Sequence, residues 1–500
     1  MSPATASAPP TSGADRSTAM VAAGHPAVVD AAWEVLGAGG NAFDAVVAAG
    51  FAAAVAEPCL TSLAGGGFCV GRAADGEEVV VDFFVDTPGR GRSTVPVPRF
   101  DEVQVRFEAA TQAFHCGPGS IAVPGCLSGY LHLHARLGRL PLAAVVAPAA
   151  RLGARGVVLL PRQAGIAALL EPILLRTSDG RALFAPRGRL LGAGEVFRNP
   201  DLASFLADLG AGADLRFSGG TLADALLSVT GTDGLVTAAD LAAYEVVERA
   251  PLEVAWRGRR VLTNPAPSFG GTLIAAALRR LDRVDLPAGD PRWPATVVAA
   301  AADVDRHRRA ILDGAGRPHS SRGTTHVSVW DGEGGAASMT TSNGECSGDV
   351  IPGTGILANN VLGEDDLHPD GFHAAPPGLR VASMMSPTIV VGADGGTEAV
   401  VGSGGSKRIR AAVIQVLLNV VVHGLSPRDA VDAPRVHWDV DHVELEPGLP
   451  RDALEALAGI GPLNGWSERS IYFGGAHLVV PGVGAAGDPR RDGVALPLPL

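Results

Sequence analysis

The run Ala42 to Ala56 is apolar on every side, with Asn41 as an N-cap type residue before it and Pro58 as its stop. A helix without a polar face has to be covered all round. Some residues later, Val79, Val80 and Val81 form a continuous β-branched run, typical of a strand covered on both faces. Together they predict sheets sandwiched by helices. At 500 residues and 47% apolar content the chain can bury a large core.

Charge narrows the function classes. With 18% charged residues and a net charge of -12, nothing suggests nucleic-acid binding or an anionic-membrane surface, so the expected partners are small molecules. Lys407 is the only lysine, which reads as a genomic composition bias. Five cysteines (Cys59, Cys69, Cys116, Cys126, Cys346) without a C-x-x-C pair argue against zinc or a disulfide framework and suggest a reducing, cytoplasmic compartment. Met1 to Arg16 has no apolar h-region and reads as a disordered tail. The fifteen residues of Ala42 to Ala56, which include Asp44, are short and polar for a bilayer span.

Further helices are expected at Ala143 to Leu152, Leu202 to Leu209, Ala238 to Tyr244 and Ala411 to His423. Strands are expected at Glu78 to Phe84, Leu252 to Trp256, Arg260 to Thr263, Thr325 to Trp330, Ala336 to Thr341, Thr388 to Gly392 and Ala399 to Gly402. The polar, Gly/Pro/Ser-rich stretch from Arg309 to Gly323 reads as an exposed linker. A helix-rich first part thus meets a strand-rich second part at Gly323/Thr324.

That junction carries the chemistry. A hydroxyl residue behind a glycine, opening an alternating strand, can become a new N-terminus. Breaking the bond before Thr324 gives one residue a nucleophilic hydroxyl and a free amine to act as its base. Glycine lacks a Cβ, so Gly323 permits the strained approach that self-cleavage needs. Polar or glycine-rich corners follow at Thr340-Thr341-Ser342-Asn343-Gly344, Pro352-Gly353-Thr354-Gly355, Asn359-Asn360 and Gly402-Ser403-Gly404-Gly405-Ser406, where backbone amides can line a small pocket.

The order of motifs resembles the γ-glutamyltranspeptidase family of N-terminal-nucleophile hydrolases. The resemblance runs from His25 to about Asp492 through Gly39-Gly40-Asn41-Ala42-Phe43-Asp44-Ala45, Glu57-Pro58, Ala122-Val123-Pro124-Gly125, Leu137-Gly138-Arg139-Leu140-Pro141 and Pro265-Ala266-Pro267-Ser268-Phe269-Gly270-Gly271. It continues through Thr324-Thr325-His326, Pro352 to Leu357 with Asn359-Asn360, and Met385-Ser386-Pro387-Thr388. It implies an α+β fold, a four-layer α-β-β-α sandwich made as one precursor. Residues 17–323 would be the large subunit and 324–500 the small one, forming a heterodimer without a cofactor or metal.

By the same resemblance, Thr324 is the nucleophile and the amides of Gly404 and Gly405 stabilise the oxyanion, with Ser406 an alternate donor. Such donors are worth about 2.7 to 4 kcal/mol apiece. Thr341 and Ser342 compete for the role of the hydroxyl supporting the nucleophile, and Asn343 holds the substrate. Glu364 or Asp365 would meet a substrate amine, and Ser383 remains from a double-serine motif whose second member is Met384. Where the family has an arginine for the substrate α-carboxylate, the strand reads Asp82-Phe83-Phe84-Val85-Asp86 and puts Phe84 there. Losing one charge-assisted hydrogen bond of about 1.5 to 3 kcal/mol weakens a glutamyl donor roughly tenfold to a hundredfold. Lys407 or Arg408 is the candidate replacement.

The first expectation is therefore a self-processing γ-glutamyl hydrolase or transferase acting on glutathione-like amides. A second keeps the fold and nucleophile but opens another amide, such as a glutaryl- or oxamate-like compound. A third is an uncleaved, inactive homologue binding a small ligand. Several residues stay outside the mechanism. His326 reads equally as a packing histidine, and His132 and His134 lie two apart on a helix and face different ways. Gly65 to Gly67 lacks the Gly-Lys-Ser/Thr of a phosphate loop and reads as close backbone packing. Cys346 reads as a small buried residue.

Overall fold

The computed structural model describes residues 19–92, 98–106, 111–307, 323–364 and 371–497. The expected N-terminal tail, nearly all of the expected linker and Asp365 lie outside these residues.

Two antiparallel sheets lie face to face. The first runs in the order Val494–Leu496, Met20–Ala23, Thr325–Trp330, Ala336–Ser342, Gly66–Arg72, Glu78–Phe83, Val247–Arg249. The second runs Gly484–Ala486, Gly475–Val480, Thr397–Gly404, Thr388–Val391, Arg259–Thr263, Leu252–Trp256. Three apolar clusters mark the interfaces between layers. Val46 and Phe51 of the Ala42–Ala56 helix pack on Val327, Val329 and Met339 of the first sheet. Val70 and Val80 meet Leu262, Ile389, Val400 and Val479 between the sheets. Val261 and Val401 meet Leu273, Val413 and Leu417 of the helices Phe269–Leu281 and Arg408–Val421 on the far side. The fold is α+β, a four-layer α-β-β-α sandwich.

The Ala42–Ala56 helix has the expected bounds, every residue in it is buried, and Asn41 closes a capping box with Asp44. The helix that opens after the glycine pair runs Arg408–Val421 rather than from Ala411. The two parts of the chain are not a helical half beside a sheet half. The Thr325–Trp330 strand sits between Met20–Ala23 and Ala336–Ser342, so segments from both sides of Gly323 build each sheet. Gly65 and Gly67 serve close packing, because a Cβ would stand 2.3 Å from the Ser342 carbonyl oxygen or 2.6 Å from that of Thr340. All five cysteines are buried and unpaired. Among the described residues no helix is long and apolar enough to cross a membrane.

Candidate active site

Period-two alternation decides what surrounds Thr324. Along the Thr325–Trp330 strand, Val327 and Val329 turn to the helices while His326 and Ser328 turn to the second sheet. The His326 ring bonds Thr340 (2.8 Å) and Ser328 (2.9 Å) and lies almost parallel to His477. Burial pushes its pKa well below the ordinary value, so it is a neutral link between sheets. Thr325, on the helix side, donates to Glu57 at 2.9 Å. Glu57 caps the Ala42–Ala56 helix, is fully buried, and is pushed up to about 7 by desolvation, against the pull of Thr325, Arg491 and Gln163.

Thr324 itself is buried at the mouth of this strand. Its carbonyl accepts a 2.6 Å hydrogen bond from Arg491, 167 residues away in sequence. Desolvation lowers that guanidinium to about 10 while Glu57 pulls the other way. Gly404 lies against the same carbonyl, where a Cβ would come within 2.2 Å of the oxygen. Gly405 follows at φ 121°, a conformation open to glycine, and turns the chain past Gly474. The glycine pair is thus brought directly onto Thr324.

On the other side of the Gly323–Thr324 peptide, the Ser342 hydroxyl donates to the Gly323 carbonyl oxygen. The Gly344 N–H donates to the Ser342 oxygen at 3.0 Å, which aims the hydroxyl proton at Gly323. The Gly323 N–H donates to Glu345 at 3.3 Å. A Cβ on Gly323 would fall 1.6 Å from the Gly344 carbonyl oxygen, so only glycine fits. Thr341, paired with Thr325, points the opposite way from Ser342 and bonds Thr61 at 2.9 Å.

A small cleft opens beside Thr324, lined by Ser342, Glu364, Ser383, Ser406, Phe84, Met384, Met385 and Ile409. Its free volume of about 20 Å³ has room for roughly one water. Thr341, Asn343 and Lys407 do not line it. Asn343 is fully buried with both side-chain amide atoms unpartnered, while its carbonyl accepts from Cys346 and Asn360. Lys407 lies 3.5 Å from Asp439, and Arg408 bonds the Tyr472 carbonyl and packs over its ring. Neither expected replacement for the pocket arginine reaches the cleft. Phe84 stacks on Phe68 at 5.6 Å, and Arg380 behind its strand is held by Asp82 and the Phe84 carbonyl. Cys346 is fully buried and its thiol is pushed up by desolvation.

Among the described residues, the metal-capable group is Asp439, His442 and Glu444, outside the cleft. Its atoms are already bonded to Tyr472, Asp441, Asn464 and Trp466. Sequence reasoning missed Arg491 and Glu345 and gave Glu57 no role. Arg491 and Glu57 reach Thr324 and Thr325 from distant parts of the chain, and no local pattern signals such contacts.

A sequence profile of the family Gamma-glutamyltranspeptidase matches residues 29–310 and 294–498. The chain is 32% identical over 485 residues to the acylase ACY 1 proenzyme of Pseudomonas sp. (strain V22), covering 89% of this chain and 87% of that protein. It is 30% identical over 499 residues to the glutathione hydrolase proenzyme of Escherichia coli (strain K12), covering 88% and 85%. The crystal structure of cephalosporin acylase from Bacillus halodurans superposes with a TM-score of 0.80 at 25% identity, over 99% of this chain and 98% of that one. With the Gly323–Thr324 corner, the glycine pair and the sandwich in place, the chain belongs to the γ-glutamyltranspeptidase family of N-terminal-nucleophile hydrolases.

Proposed function

We propose that the chain cuts itself at Gly323/Thr324 and then works as an amide hydrolase and acyl transferase through Thr324. In the first step the Thr324 Oγ attacks the Gly323 carbonyl carbon and the C–N bond breaks, leaving an ester and a free amine. Ser342 donates to the oxygen on which charge develops, and Arg491 holds the Thr324 carbonyl still. Water then cleaves the ester and releases a large and a small subunit. In the mature enzyme the Thr324 amine takes the hydroxyl proton and the Oγ–acyl bond forms. The amine returns the proton to the leaving nitrogen. Gly404 and Gly405 amides, with Ser406 as alternate, receive the second oxyanion. Water gives hydrolysis and an amine gives transfer.

For the substrate, an acyl donor without a carboxylate is favoured; this keeps the fold and nucleophile of the second expectation but not its glutaryl- or oxamate-like examples, which carry one. One observation carries this choice. Phe84 lines the cleft, and among the described lining residues there is no cation, Glu364 being the charged one. A substrate carboxylate entering there meets an anion and an aromatic ring, whereas an uncharged or amine-bearing acyl group meets Glu364, Ser383 and apolar walls. The likeness to acylases of similar coverage supports it. The γ-glutamyl reading keeps one argument, since Glu364 also suits the α-amine of a glutamyl donor.

Two measurements test the proposal. Mass spectrometry of the purified protein should give two chains, the second beginning at Thr324; a persistent 323–324 bond supports the uncleaved, inactive reading instead. Anilides of acetyl, glutaryl and γ-glutamyl groups then rank the donors, and a γ-glutamyl anilide turned over tenfold better than the neutral one overturns the substrate choice.

A further inference from the structure

Self-cleavage gives Thr324 an amine that has to be unprotonated before it can accept the hydroxyl proton. An α-amine ordinarily titrates at about 7.7 to 8.0, so at pH 7 only about one in eight would be free base. The acids around this residue work against the enzyme. Glu345 reaches the Gly323 N–H on one side, and Glu364 lines the cleft on the other. A carboxylate close to an amine favours its ammonium form. Burial holds His326 and His477 neutral, so they add no charge. Lys407 and Arg408 turn away, to Asp439 and to the Tyr472 carbonyl.

Arg491 is the cation that faces Thr324. Its guanidinium donates to the Thr324 carbonyl oxygen at 2.6 Å. A carbonyl oxygen and the nitrogen of its own residue lie about 3 Å apart by covalent geometry. The charge therefore stands within roughly 6 Å of the amine, the range over which a like charge disfavours an ammonium. The arginine is fully buried in a slot that two glycines leave open. A Cβ on Gly475 would stand 2.2 Å from the Arg491 Cδ, and one on Gly404 would stand 3.0 Å from its Nη1. Behind it, Arg435 pairs with Asp488, and Arg490 with Asp488 and Glu446. Desolvation lowers the Arg491 guanidinium to about 10, which leaves it charged at neutral pH. Glu57 pulls on it from the helix side, but is itself pushed up to about 7 by burial and is largely protonated on the acid side of that value. We infer that Arg491 is a positioning residue acting through Thr324: its charge, fixed on the carbonyl, keeps the mature α-amine in the free-base form against Glu345 and Glu364. The inference rests on the reading of Thr324 as an N-terminal nucleophile.

The test follows the acid limb of kcat/KM, which reports the base of the free enzyme, with whichever anilide the self-cleaved protein turns over best. A second readout titrates the amine itself: reductive methylation of Thr324 across pH, counted by mass spectrometry of the peptide that begins there. In the wild type both should give a value below about 7. Arg491→Gln removes the charge and should raise both by about one unit. Arg491→Lys keeps the charge and should hold both within about 0.3 units of the wild type. A merely structural arginine would lower the rate at every pH and leave the limb in place. An unmoved limb in Arg491→Gln, or an equal shift in Arg491→Lys, overturns the inference. If Arg491→Gln does not fold or cleave, the wild-type amine decides: a value below about 7 upholds the role of Arg491, and one at or above about 7 overturns it. The two readings fail differently. Absence of a chain beginning at Thr324 in the wild type overturns the nucleophile itself, whereas a cleaved, active enzyme whose amine ignores Arg491 overturns only this inference.

Discussion

The two sides of Thr324 are built to different tolerances. Toward Gly323 every group is fixed: Ser342 on the carbonyl, Gly344 aiming Ser342, Glu345 on the N–H, and no room for even a Cβ. Toward Phe84 the walls mix apolar residues and serines, and the position expected to carry an arginine carries a ring. Under the proposed mechanism, making the nucleophile and choosing the substrate draw on different groups, except that Ser342 also lines the cleft. The first leans on the Ser342 and Glu345 side chains and on a backbone so close that only glycine fits; the second rests on a few replaceable side chains.

The largest effect should come from Thr324→Ala. It removes both the attacking oxygen of self-cleavage and the mature nucleophile, so the chain should stay a single 500-residue polypeptide with turnover reduced on the order of 10⁴-fold or more. A two-chain product from this variant would break the comparison at its root. Ser342→Ala comes next. It deletes the donor to the Gly323 oxygen, and self-cleavage followed on a denaturing gel should slow by roughly 10² to 10³-fold. Ser342→Thr, which restores the hydroxyl, should recover most of the rate, whereas Thr341→Ala should leave it within about threefold, because Thr341 faces Thr61. Equal losses from Thr341→Ala and Ser342→Ala would erase the distinction between the two faces of the strand.

That distinction explains how much could be read in advance. The helix bounds at Ala42 and Ala56, the strand Thr325–Trp330 and the glycine pair were legible because each leaves a local trace: an unbroken apolar run, an alternation, a turn needing positive φ. The choice between Thr341 and Ser342 was not legible, since motif spacing was ambiguous by one residue and one residue of register turns a side chain to the other face. Lys407 looked suitable by position after the glycine pair, but the chain turns into a helix there and carries it to Asp439. Arg491 on Thr324 and Glu57 under Thr325 depend on sheet order, which brings together segments far apart in sequence.

Glu57 offers a readout of the packed side through pH. Its ordinary value of 4.5 rises to about 7 in the fold because burial disfavours the carboxylate. Between these values the unfolded chain has released its proton and the folded chain still holds it, so stability falls as pH rises from 4.5 to 7 and is level beyond. The loss amounts to roughly 3 kcal/mol for this group. Denaturant titrations across the window should show that slope in the wild-type protein, and Glu57→Gln, which keeps a hydrogen-bond partner for Thr325, should remove it. A Glu57→Gln profile parallel to the wild type would mean that water reaches the Thr325 side.

The smallest effect bears on the loose side. Phe84→Arg restores a cation to the wall of the cleft, where it can meet a substrate carboxylate or pair with Glu364. A charge-assisted hydrogen bond of about 1.5 to 3 kcal/mol would give ten to a hundredfold. Pairing with Glu364 and the loss of the Phe68 stacking contact draw on that gain, so the expected rise in kcat/KM for a γ-glutamyl anilide over an acetyl anilide is about tenfold. Phe84→Leu, which adds no charge, should leave the ratio unchanged, separating the effect of the cation from that of a reshaped wall. The self-cleavage rate of both variants should stay within about threefold of the wild type, because Phe84 shares the cleft with Ser342 but makes its ring contact with Phe68. If Phe84→Arg halts cleavage in a protein that still melts cooperatively, the two sides of Thr324 are one coupled site, and substrate choice cannot be altered in this fold without also altering the birth of the nucleophile.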